Sequence, residues 1–199
     1  MTDRPTDSLR VTGLGRKAIH LSLAVIPVCW AYGIAGTGVI RAGLAFAAAT
    51  ALAIELFRLR DPRVGARFEA LFGRWLKPHE RTEITGATWL LFAMLGAALV
   101  FPAPVARAAL WAGIVGDAVA AVVGTALRTT GAPGKSGVGA LACAVTTAAG
   151  VWWLAPTSWG IAIAIGAVAA AAEWPSHLGD DNARVTLLTG VAAWALGAG

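Results

Sequence analysis

Charged residues are scarce in this 199-residue chain, in which Asp, Glu, Lys and Arg together make up 14%. Soluble globular domains carry about 25%. Hydrophobic residues make up 57%, the mean hydropathy is +0.68, and the apolar residues form long runs. This composition excludes an ordinary water-soluble domain. It predicts a single all-α domain over residues 1–199 that crosses a membrane several times.

Cysteine is equally scarce, and the two that occur, Cys29 and Cys143, both lie inside apolar runs. Their spacing suits neither a loop disulfide nor a metal site, so both are predicted to be small core residues. A cleavable signal peptide is not expected. The first apolar run follows a polar lead, residues 1–15, and it lacks a small-residue cleavage site.

Seven apolar segments have about the length of a membrane-spanning helix. They are residues 18–36, 38–57, 85–101, 105–127, 137–154, 157–174 and 183–198. Ala and Gly are abundant in them, which allows neighbouring helices to pack closely. The sequence therefore predicts a polytopic bundle of about seven transmembrane helices.

The basic residues are distributed unevenly over the connections between these segments. With the N-terminus placed in the cytoplasm, 14 of the 16 Lys and Arg residues lie on the cytoplasmic side, and only Arg41 and Arg107 lie on the other. Cytoplasmic loops of membrane proteins are enriched in Lys and Arg, so this distribution predicts an N-in, C-out topology. It also accounts for the net charge of +5 without a nucleic-acid partner.

The connection between the second and third segments contains a different kind of helix. Six apolar residues in it recur at helical spacing, with basic residues between them: Val64, Phe68, Leu71, Phe72, Trp75 and Leu76. We predict an amphipathic interfacial helix over residues 62–81 on the cytoplasmic membrane surface. A topological anchor and a guide for a lipid substrate are both open as its role.

One carboxylate, Asp117, falls in the middle of the fourth apolar segment, about ten residues or roughly 15 Å from its cytoplasmic end. A charge at that depth costs at least about 2.5–3.5 kcal/mol. The small residues Ala121 and Gly124 follow on the same helix face and leave room for a ligand. Asp117 is therefore predicted to line a functional polar cavity. A buried Asp that a neighbouring helix satisfies is the alternative.

Two further pairs of polar residues lie near the same membrane face. Arg16 and His20 are four apart on one helix face, as suits a pair that grips an anion, or they set topology and lie at the interface. Glu55 and Arg58, spaced i and i+3, could bind a ligand or could simply pair with each other.

A run of carboxylates and an amide precedes the seventh segment. Asp180, Asp181 and Asn182 offer hard oxygen ligands of the kind that Mg²⁺ prefers, and a divalent ion would relieve the repulsion between the neighbouring carboxylates. Asp181 or Asn182 could instead be only the N-cap of the seventh helix.

A glycine-rich turn, GAPGKS at residues 131–136, connects the fourth and fifth segments. It is not a P-loop, because that motif needs a glycine where this chain has Thr129 and it follows a buried strand. Gly131 and Gly134 allow the backbone to turn toward an anion, and Lys135 supplies positive charge. Together with the carboxylates at the same face, this turn predicts phosphoryl or nucleotidyl transfer.

Five sequence blocks, in order along the chain, resemble the dolichol kinase/phytol kinase family. They are RKAIH (16–20), ELFR (55–58), ERTEITGAT (80–88), GDAVAAVVG to GKSGVGA (116–140) and EWPSHLGDDNARVTL (173–187). The fourth block resembles the family's GD-x-x-A-x-x-x-G…K-S-x-x-G signature. Two places depart from the family pattern. No carboxylate follows Ser136, and Ala183 and Arg184 follow Asn182 where an apolar residue and Pro are common.

The resemblance implies a membrane kinase that uses CTP and Mg²⁺ to phosphorylate a long-chain isoprenoid alcohol of the phytol, polyprenol or dolichol type. The family's site falls on twelve residues: Arg16, Lys17, His20, Glu55, Asp117, Gly124, Lys135, Ser136, Gly139, Glu173, Asp181 and Asn182. The expected catalytic residues are Asp117, Asp181, Glu173 and His20. The expected metal ligands are Asp117, Asp181 and the adjacent Asp180. The expected nucleotide-binding residues are Arg16, Lys17, Gly124, Gly131, Gly134, Lys135, Ser136, Gly139 and Asn182.

These expectations describe an enzyme of a prokaryotic cell membrane, with its site on the cytoplasmic side and a nucleoside triphosphate and a lipid alcohol as substrates. Its other partners are membrane lipids, and its oligomeric state is open. The enzyme alternatives are a phosphatidate cytidylyltransferase and a CTP-dependent diacylglycerol kinase. The alternative from a different class is a small transporter with Asp117 as its ion site, although the outer half of the chain offers almost no charge for a transport path.

Overall fold

A computed structural model describes residues 15–127, 135–174 and 180–198, and within these ranges the chain is helical and contains no strand. Residues 15–22 are helical and are called α1. The other α-helices are α2 (Val25–Ala31), α3 (Thr37–Arg60), α4 (Pro62–Phe72), α5 (Gly86–Val100), α6 (Ala103–Ala126), α7 (Gly137–Leu154), α8 (Trp159–Glu173) and α9 (Asp181–Ala195). Two 3₁₀ turns, Gly73–Trp75 and Pro78–Arg81, lie between α4 and α5.

Three helices, α3, α6 and α7, are long and apolar enough to cross a membrane, and α5 and α8 are shorter apolar helices. Large apolar side chains point outward from them: Phe46 on α3 is 75% exposed, Leu141 on α7 63% and Ile163 on α8 60%. An outward-facing apolar surface of this extent suits lipid rather than water. The prediction of an α-helical membrane protein is therefore confirmed at this level. Seven spans and their orientation stay predictions.

The first predicted segment, 18–36, is not one helix, because the chain breaks at residues 23–24 between α1 and α2. Pro27 explains the break. A proline has no backbone N–H, and its ring collides with the carbonyl four residues earlier, here that of Leu23. At the break the backbone forms hydrogen bonds between residues three apart, as in a 3₁₀ turn: the N–H of Ile26 donates to the Leu23 carbonyl over 3.0 Å.

The amphipathic helix predicted over 62–81 is also shorter than expected, because α4 ends at Phe72. Gly73 weakens the helix, and Pro78 disfavours helical backbone at the residue before it. None of the residues of α4 is buried, and the side chains of Leu71 and Phe72 are 68% and 42% exposed. The apolar stripe persists past the helix end, since the rings of Phe72 and Trp75 lie 6.2 Å apart.

Helix α6 forms the centre of the bundle. Its most apolar stretch is 61% buried, against 39% for α7 and 22% for α3. Leu110 and Ile114 have no solvent exposure at all. Within α6, Ala112–Gly116 is a π-helical turn that ends directly before Asp117. Such turns are rare and often occur at functional sites.

Close helix packing depends on individual small residues, and Gly150 on α7 is the clearest case. A Cβ added at Gly150 would lie inside the indole ring of Trp111 on α6. That ring cannot move freely, because its Nε1–H donates to the Thr146 carbonyl over 3.0 Å and it makes a T-shaped contact with the Trp153 ring, with 5.6 Å between the centroids. The small residue therefore sets how closely α6 and α7 approach each other.

We expect Gly150→Ala to lower the free energy of unfolding by about 1–3 kcal/mol, the usual cost of overpacking a dense core. Thermal unfolding of the purified protein in detergent measures it. Gly43→Ala on α3 is the matched control, because nothing lies within 4 Å of a Cβ added there. Equal melting temperatures for the two variants would contradict this account of the α6–α7 contact.

The polar residues gather at one end of the bundle, which we call the site end. There α3, α6 and α8 finish, and α5, α7 and α9 begin. Contacts between these termini define it: Lys135 before α7 meets Glu173 at the end of α8, and Asn182 of α9 donates to the Gly86 carbonyl at the start of α5 over 3.2 Å. Exposed Trp side chains lie at both ends of the bundle, Trp89 and Trp174 at the site end and Trp152 and Trp159 at the other.

Candidate functional site

A cavity of about 260 Å³ opens at the site end. Basic, acidic and small residues line it: Arg16, Lys17, Lys77, Asp117, Ala120, Ala121, Gly124, Thr125, Lys135, Ser136, Gly139, Glu173, Asp181 and Asn182. Ten of these belong to the set that the sequence motifs singled out. The structure thus brings residues from α1, α6, α7, α8 and α9 into one space.

Asp117 forms an ion pair and hydrogen bond with the ammonium of Lys17 on α1. The Asp117 side chain is 5% exposed and that of Lys17 is 15% exposed. A carboxylate buried this deeply needs a partner, because desolvation of an unpaired charge costs several kcal/mol. Asp117 thus has a partner on a neighbouring helix and also lines the cavity, and its functional role stays a prediction.

His20 lies one turn after Lys17 on α1 but does not line the cavity. Its Nε2 is 3.0 Å from the backbone carbonyl of Gly113, inside the π-helical turn of α6. Lys17 and His20 thus hold α6 at two points four residues apart, Asp117 and Gly113. The catalytic role expected for His20 stays a prediction. The contact that His20 makes is with the backbone of Gly113, one helical turn before Asp117.

A second charged cluster is centred on Lys135. Its ammonium lies 2.8 Å from Glu173 Oε1 and 3.0 Å from Asp181 Oδ2, and it also donates to the backbone carbonyl of Glu173. The guanidinium of Arg184 binds the other oxygen of Asp181 over 2.6 Å. Lys135 therefore ties the end of α8 to the start of α9.

Burial alone would lower the pKa of the Lys135 ammonium, but the hydrogen bonds and ion pairs with Glu173 and Asp181 hold that pKa above its ordinary value. Folding raises this pKa, so the resulting stability is fully present at neutral pH. It is lost only as the pH rises through the raised pKa of the folded state. Lys135 is a permanent cation under working conditions.

The first turn of α7 borders the cavity and is shaped by small residues. Ser136 is its N-cap, with Oγ accepting the N–H of Gly139 over 3.1 Å. A Cβ added at Gly124 would lie 3.5 Å from Gly139 Cα and 2.8 Å from Ser136 Oγ. Gly124 and Gly139, expected to bind nucleotide, thus have a packing role in bringing α6 and α7 together. Gly131 and Gly134 lie outside the described residues.

Asp180, Asp181 and Asn182, at the start of α9, have different positions in the structure. Asp180 is the N-cap of α9: its Oδ1 accepts the N–H groups of Asn182 and Ala183 over 2.9 and 3.4 Å. The cap is thus Asp180, one residue before Asp181 and two before Asn182, the alternatives that the sequence offered. Asp180 is not among the cavity-lining residues described above, and its expected role as a metal ligand stays a prediction.

Glu55 and Arg58 pair with each other, as their spacing allowed, and both side chains are 3% exposed. Glu55 Oε1 accepts the N–H and the hydroxyl of Thr85 over 3.0 and 2.7 Å and the hydroxyl of Thr88 over 3.0 Å. Arg58 donates to the backbone of the same connection, at Arg81 and Glu83. This pair anchors the 81–88 segment and does not line the cavity.

Two residues that the sequence motifs did not assign to the site belong to its rim. Glu80 is 3% exposed, and its carboxylate accepts the N–H groups of Gly86 and Lys77 over 2.9 and 2.7 Å. It also lies 3.6 Å from the guanidinium of Arg16. Lys77 itself lines the cavity. In the sequence, Lys77 is one of many cations in a basic loop, so nothing in its local pattern separates it from the others.

The donor set of the cavity fits Mg²⁺ in part. Within the described ranges, no three His, Cys, Asp or Glu side chains lie together in a way that could hold a metal ion on their own. Mg²⁺ is usually held by one or two carboxylates, substrate phosphates and water, however. The carboxylates of Asp117, Glu173 and Asp181 in one cavity supply ligands of that kind.

Comparisons with protein-family models, with curated proteins and with solved structures give no match to this chain. Its function is therefore argued from the cavity and from the ordered motifs.

Proposed function

We propose that this protein is a CTP-dependent kinase that transfers a phosphoryl group to the hydroxyl of a long-chain isoprenoid alcohol at the cytoplasmic membrane face. One observation carries the proposal: a single cavity at one end of an apolar helical bundle collects three carboxylates and four basic side chains. A polyphosphate needs the cations, and a hydroxyl acceptor needs a nearby base. An end-on cavity gives a water-soluble nucleotide and a membrane-bound alcohol access to the same space.

Two of the four cations of the cavity are held by its own carboxylates. Lys17 pairs with Asp117, and Lys135 pairs with Glu173 and Asp181. A bound polyphosphate competes for the lysines as the stronger, multiply charged anion. The carboxylates released in this way become available for Mg²⁺, which supplies neutralisation of phosphate charge when it is bound. This exchange of partners would give the paired charges in the cavity of an otherwise apolar protein a role in substrate binding.

The chain's own residues then have separable tasks. Lys135 and the N-terminal end of α7 hold and orient the phosphates. Arg16 and Lys17 add positive charge on the α1 side. The alcohol oxygen attacks the terminal phosphorus, the bond from that phosphorus to the bridging oxygen breaks and CDP leaves, and the hydroxyl proton passes to a cavity carboxylate. Asp117 is the carboxylate that we assign as this base, since it is buried deepest.

The membrane placement follows from the same features. The site end carries the basic connections, so it is assigned to the cytoplasm under the positive-inside rule, with seven spans and the N-terminus inside. Exposed Trp residues at both ends of the bundle suit the two interfaces. Helix α4, with exposed Leu71 and Phe72, lies at the cytoplasmic interface beside the cavity. A prokaryotic cell membrane is the proposed location.

A nucleotide-by-lipid activity screen tests the proposal. Purified protein in detergent with Mg²⁺ is incubated with each of CTP, ATP, GTP and UTP, and with phytol, a polyprenol, a dolichol or diacylglycerol. We expect a lipid monophosphate and CDP, identified by mass. CDP-lipid and pyrophosphate from phosphatidate would instead identify a cytidylyltransferase. Failure to phosphorylate any alcohol, together with ion flux in liposomes without nucleotide, would refute the kinase and favour a transporter.

A further inference from the structure

Lys77 differs from the other cations of the cavity in having no acidic partner among the residues that the structure describes. Arg16 lies 3.6 Å from Glu80, Lys17 is paired with Asp117, and Lys135 with Glu173 and Asp181. For Lys77 the structure gives no ion pair and no side-chain hydrogen bond to any residue in the ranges 15–127, 135–174 and 180–198. Its ammonium is thus available to a ligand without displacing a carboxylate.

The position of Lys77 is nevertheless fixed by buried contacts. Its backbone N–H donates to Glu80 Oε2 over 2.7 Å. Glu80 Oε1 accepts the N–H of Gly86 over 2.9 Å and faces Arg16. Because Glu80 is 3% exposed, one buried carboxylate holds the Lys77 backbone, the start of α5 and the Arg16 guanidinium together. The backbone of Lys77 is therefore held in place by buried contacts, whereas a lysine on an unanchored loop would have no such support.

The charge balance of the cavity points to the kind of ligand. Its lining holds four basic residues and three acidic ones. Lys17, Lys135 and Arg184 engage the three acidic residues, and Arg16 faces Glu80. The surplus of one positive charge is therefore that of Lys77. A surplus cation at the mouth of a partly enclosed cavity attracts an anion, and it binds a phosphoryl group through charge-assisted hydrogen bonds.

We propose that Lys77 is a phosphoryl-binding residue of the cavity and that the interfacial segment 62–81 contributes it. This rests on the proposed function for the identity of the phosphoryl group, which comes either from the nucleotide or from the lipid monophosphate product. Under this proposal, the two 3₁₀ turns that follow α4 position a ligand-binding residue. Lys77 lies between the turns Gly73–Trp75 and Pro78–Arg81 and lines the cavity.

The segment is also tied to the N-terminal side of the site. A Cβ added at Gly15 on α1 would lie 3.4 Å from the indole Nε1 of Trp75. Trp75 thus packs beside the helix that carries Arg16 and Lys17. The exposed apolar residues Leu71 and Phe72 and the cavity-lining Lys77 lie at opposite ends of one short stretch. Under the proposal, the same segment contacts lipid at one end and the ligand at the other.

Binding of inorganic tripolyphosphate to the full chain in detergent tests the proposal without requiring catalysis. Affinity is measured by isothermal titration for the wild type, Lys77→Ala, Lys77→Arg and the control Arg67→Ala. Arg67 is an exposed cation on α4 outside the cavity, so the control removes the same charge from the same segment. We expect Lys77→Ala to weaken binding by roughly 10- to 100-fold and Lys77→Arg to restore most of it. Arg67→Ala should stay within about twofold of wild type.

Further arms identify the source of the phosphoryl group. CTP is titrated in one arm and a phytyl monophosphate in mixed micelles in the other, each against wild type and Lys77→Ala. A loss confined to CTP assigns Lys77 to the nucleotide, and a loss confined to the lipid monophosphate assigns it to the product. Unchanged tripolyphosphate affinity in Lys77→Ala, an equal loss in Arg67→Ala, or no binding by the wild type would each overturn the proposal.

The proposal and the kinase assignment can fail separately. If tripolyphosphate binding depends on Lys77 but no alcohol is phosphorylated, the kinase assignment fails and the phosphoryl site stands. If an alcohol is phosphorylated while Lys77→Ala keeps wild-type KM for CTP and wild-type affinity for the lipid monophosphate, the kinase stands and the role of Lys77 fails.

Discussion

Asp117→Asn should reduce kcat for phosphoryl transfer by roughly 10²- to 10⁴-fold, the contribution expected of a positioned general base. Asparagine has nearly the same shape as aspartate, but it carries no negative charge and cannot accept the proton of the alcohol. It also cannot serve as an anionic ligand for a divalent cation. Steady-state kinetics with a saturating lipid alcohol and CTP measure the loss. Wild-type kcat in this variant would remove Asp117 from the chemistry and sink the assignment.

The same substitution also leaves Lys17 buried without its partner, so loss of activity must be separated from loss of fold. Removing one member of a buried ion pair typically costs about 3–5 kcal/mol. Adding Lys17→Met removes the orphaned charge, and the double variant should regain most of the thermal stability that Asp117→Asn loses. Its activity should stay low, because the base is still missing. Recovery of both stability and activity in the double variant would mean that the pair is only structural.

Lys135→Met is expected to have the second large effect, through binding rather than through the base. The substitution removes the cation that faces Glu173 and Asp181 and leaves two carboxylates at the site where the phosphates should lie. The lost charge-assisted contacts and the added repulsion should raise KM for CTP by about 10²-fold or more. The kinetic split decides the role: a rise in KM for CTP with little change in KM for the alcohol supports a phosphate ligand.

Arg67→Ala again serves as the charge-matched control for Lys135→Met, and Lys135→Arg tests whether any cation suffices. Arginine keeps the charge but presents a planar fork in place of a compact ammonium, so we expect only partial recovery. A wild-type KM for CTP in Lys135→Met would contradict the phosphate-binding role. Because the pKa of Lys135 is raised above its ordinary value, its titration should not shape the activity profile at neutral or mildly alkaline pH.

The helices that the hydropathy pattern predicted are close to those observed where the apolar run is uninterrupted. The run 137–154 coincides with α7, and 85–101 and 157–174 differ from α5 and α8 by one or two residues at their ends. Such agreement has a simple cause, since in a membrane the backbone must satisfy its own hydrogen bonds and a long apolar run has no alternative to a helix. Pro27 interrupts the first apolar run at 23–24, and Gly73 and Pro78 limit the length of the interfacial helix.

The candidate site was predictable where its residues carry a local signature. Asp117 stands out because a carboxylate inside an apolar helix is costly. The i, i+3 pairing of Glu55 and Arg58 follows from helix geometry, and the structure adds that this pair anchors the 81–88 segment instead of lining the cavity. Lys77 and Glu80 were missed as site residues. A cation in a basic loop indicates topology, and the contact of Glu80 with Arg16 is made across the fold.

The sequence by itself determined that the chain is a helical membrane protein and that its charges concentrate toward one face. Both are one-dimensional properties, set by the free energy of placing each residue in lipid or water. Tertiary structure alone decided which charges meet: Lys17 with Asp117 across 100 positions, and Lys135 with Glu173 and Asp181 across 38 and 46. Charge pairing depends on distances of a few ångströms between helices. Those distances follow from contacts between residues far apart in the sequence, such as Gly150 with Trp111, which no local pattern encodes.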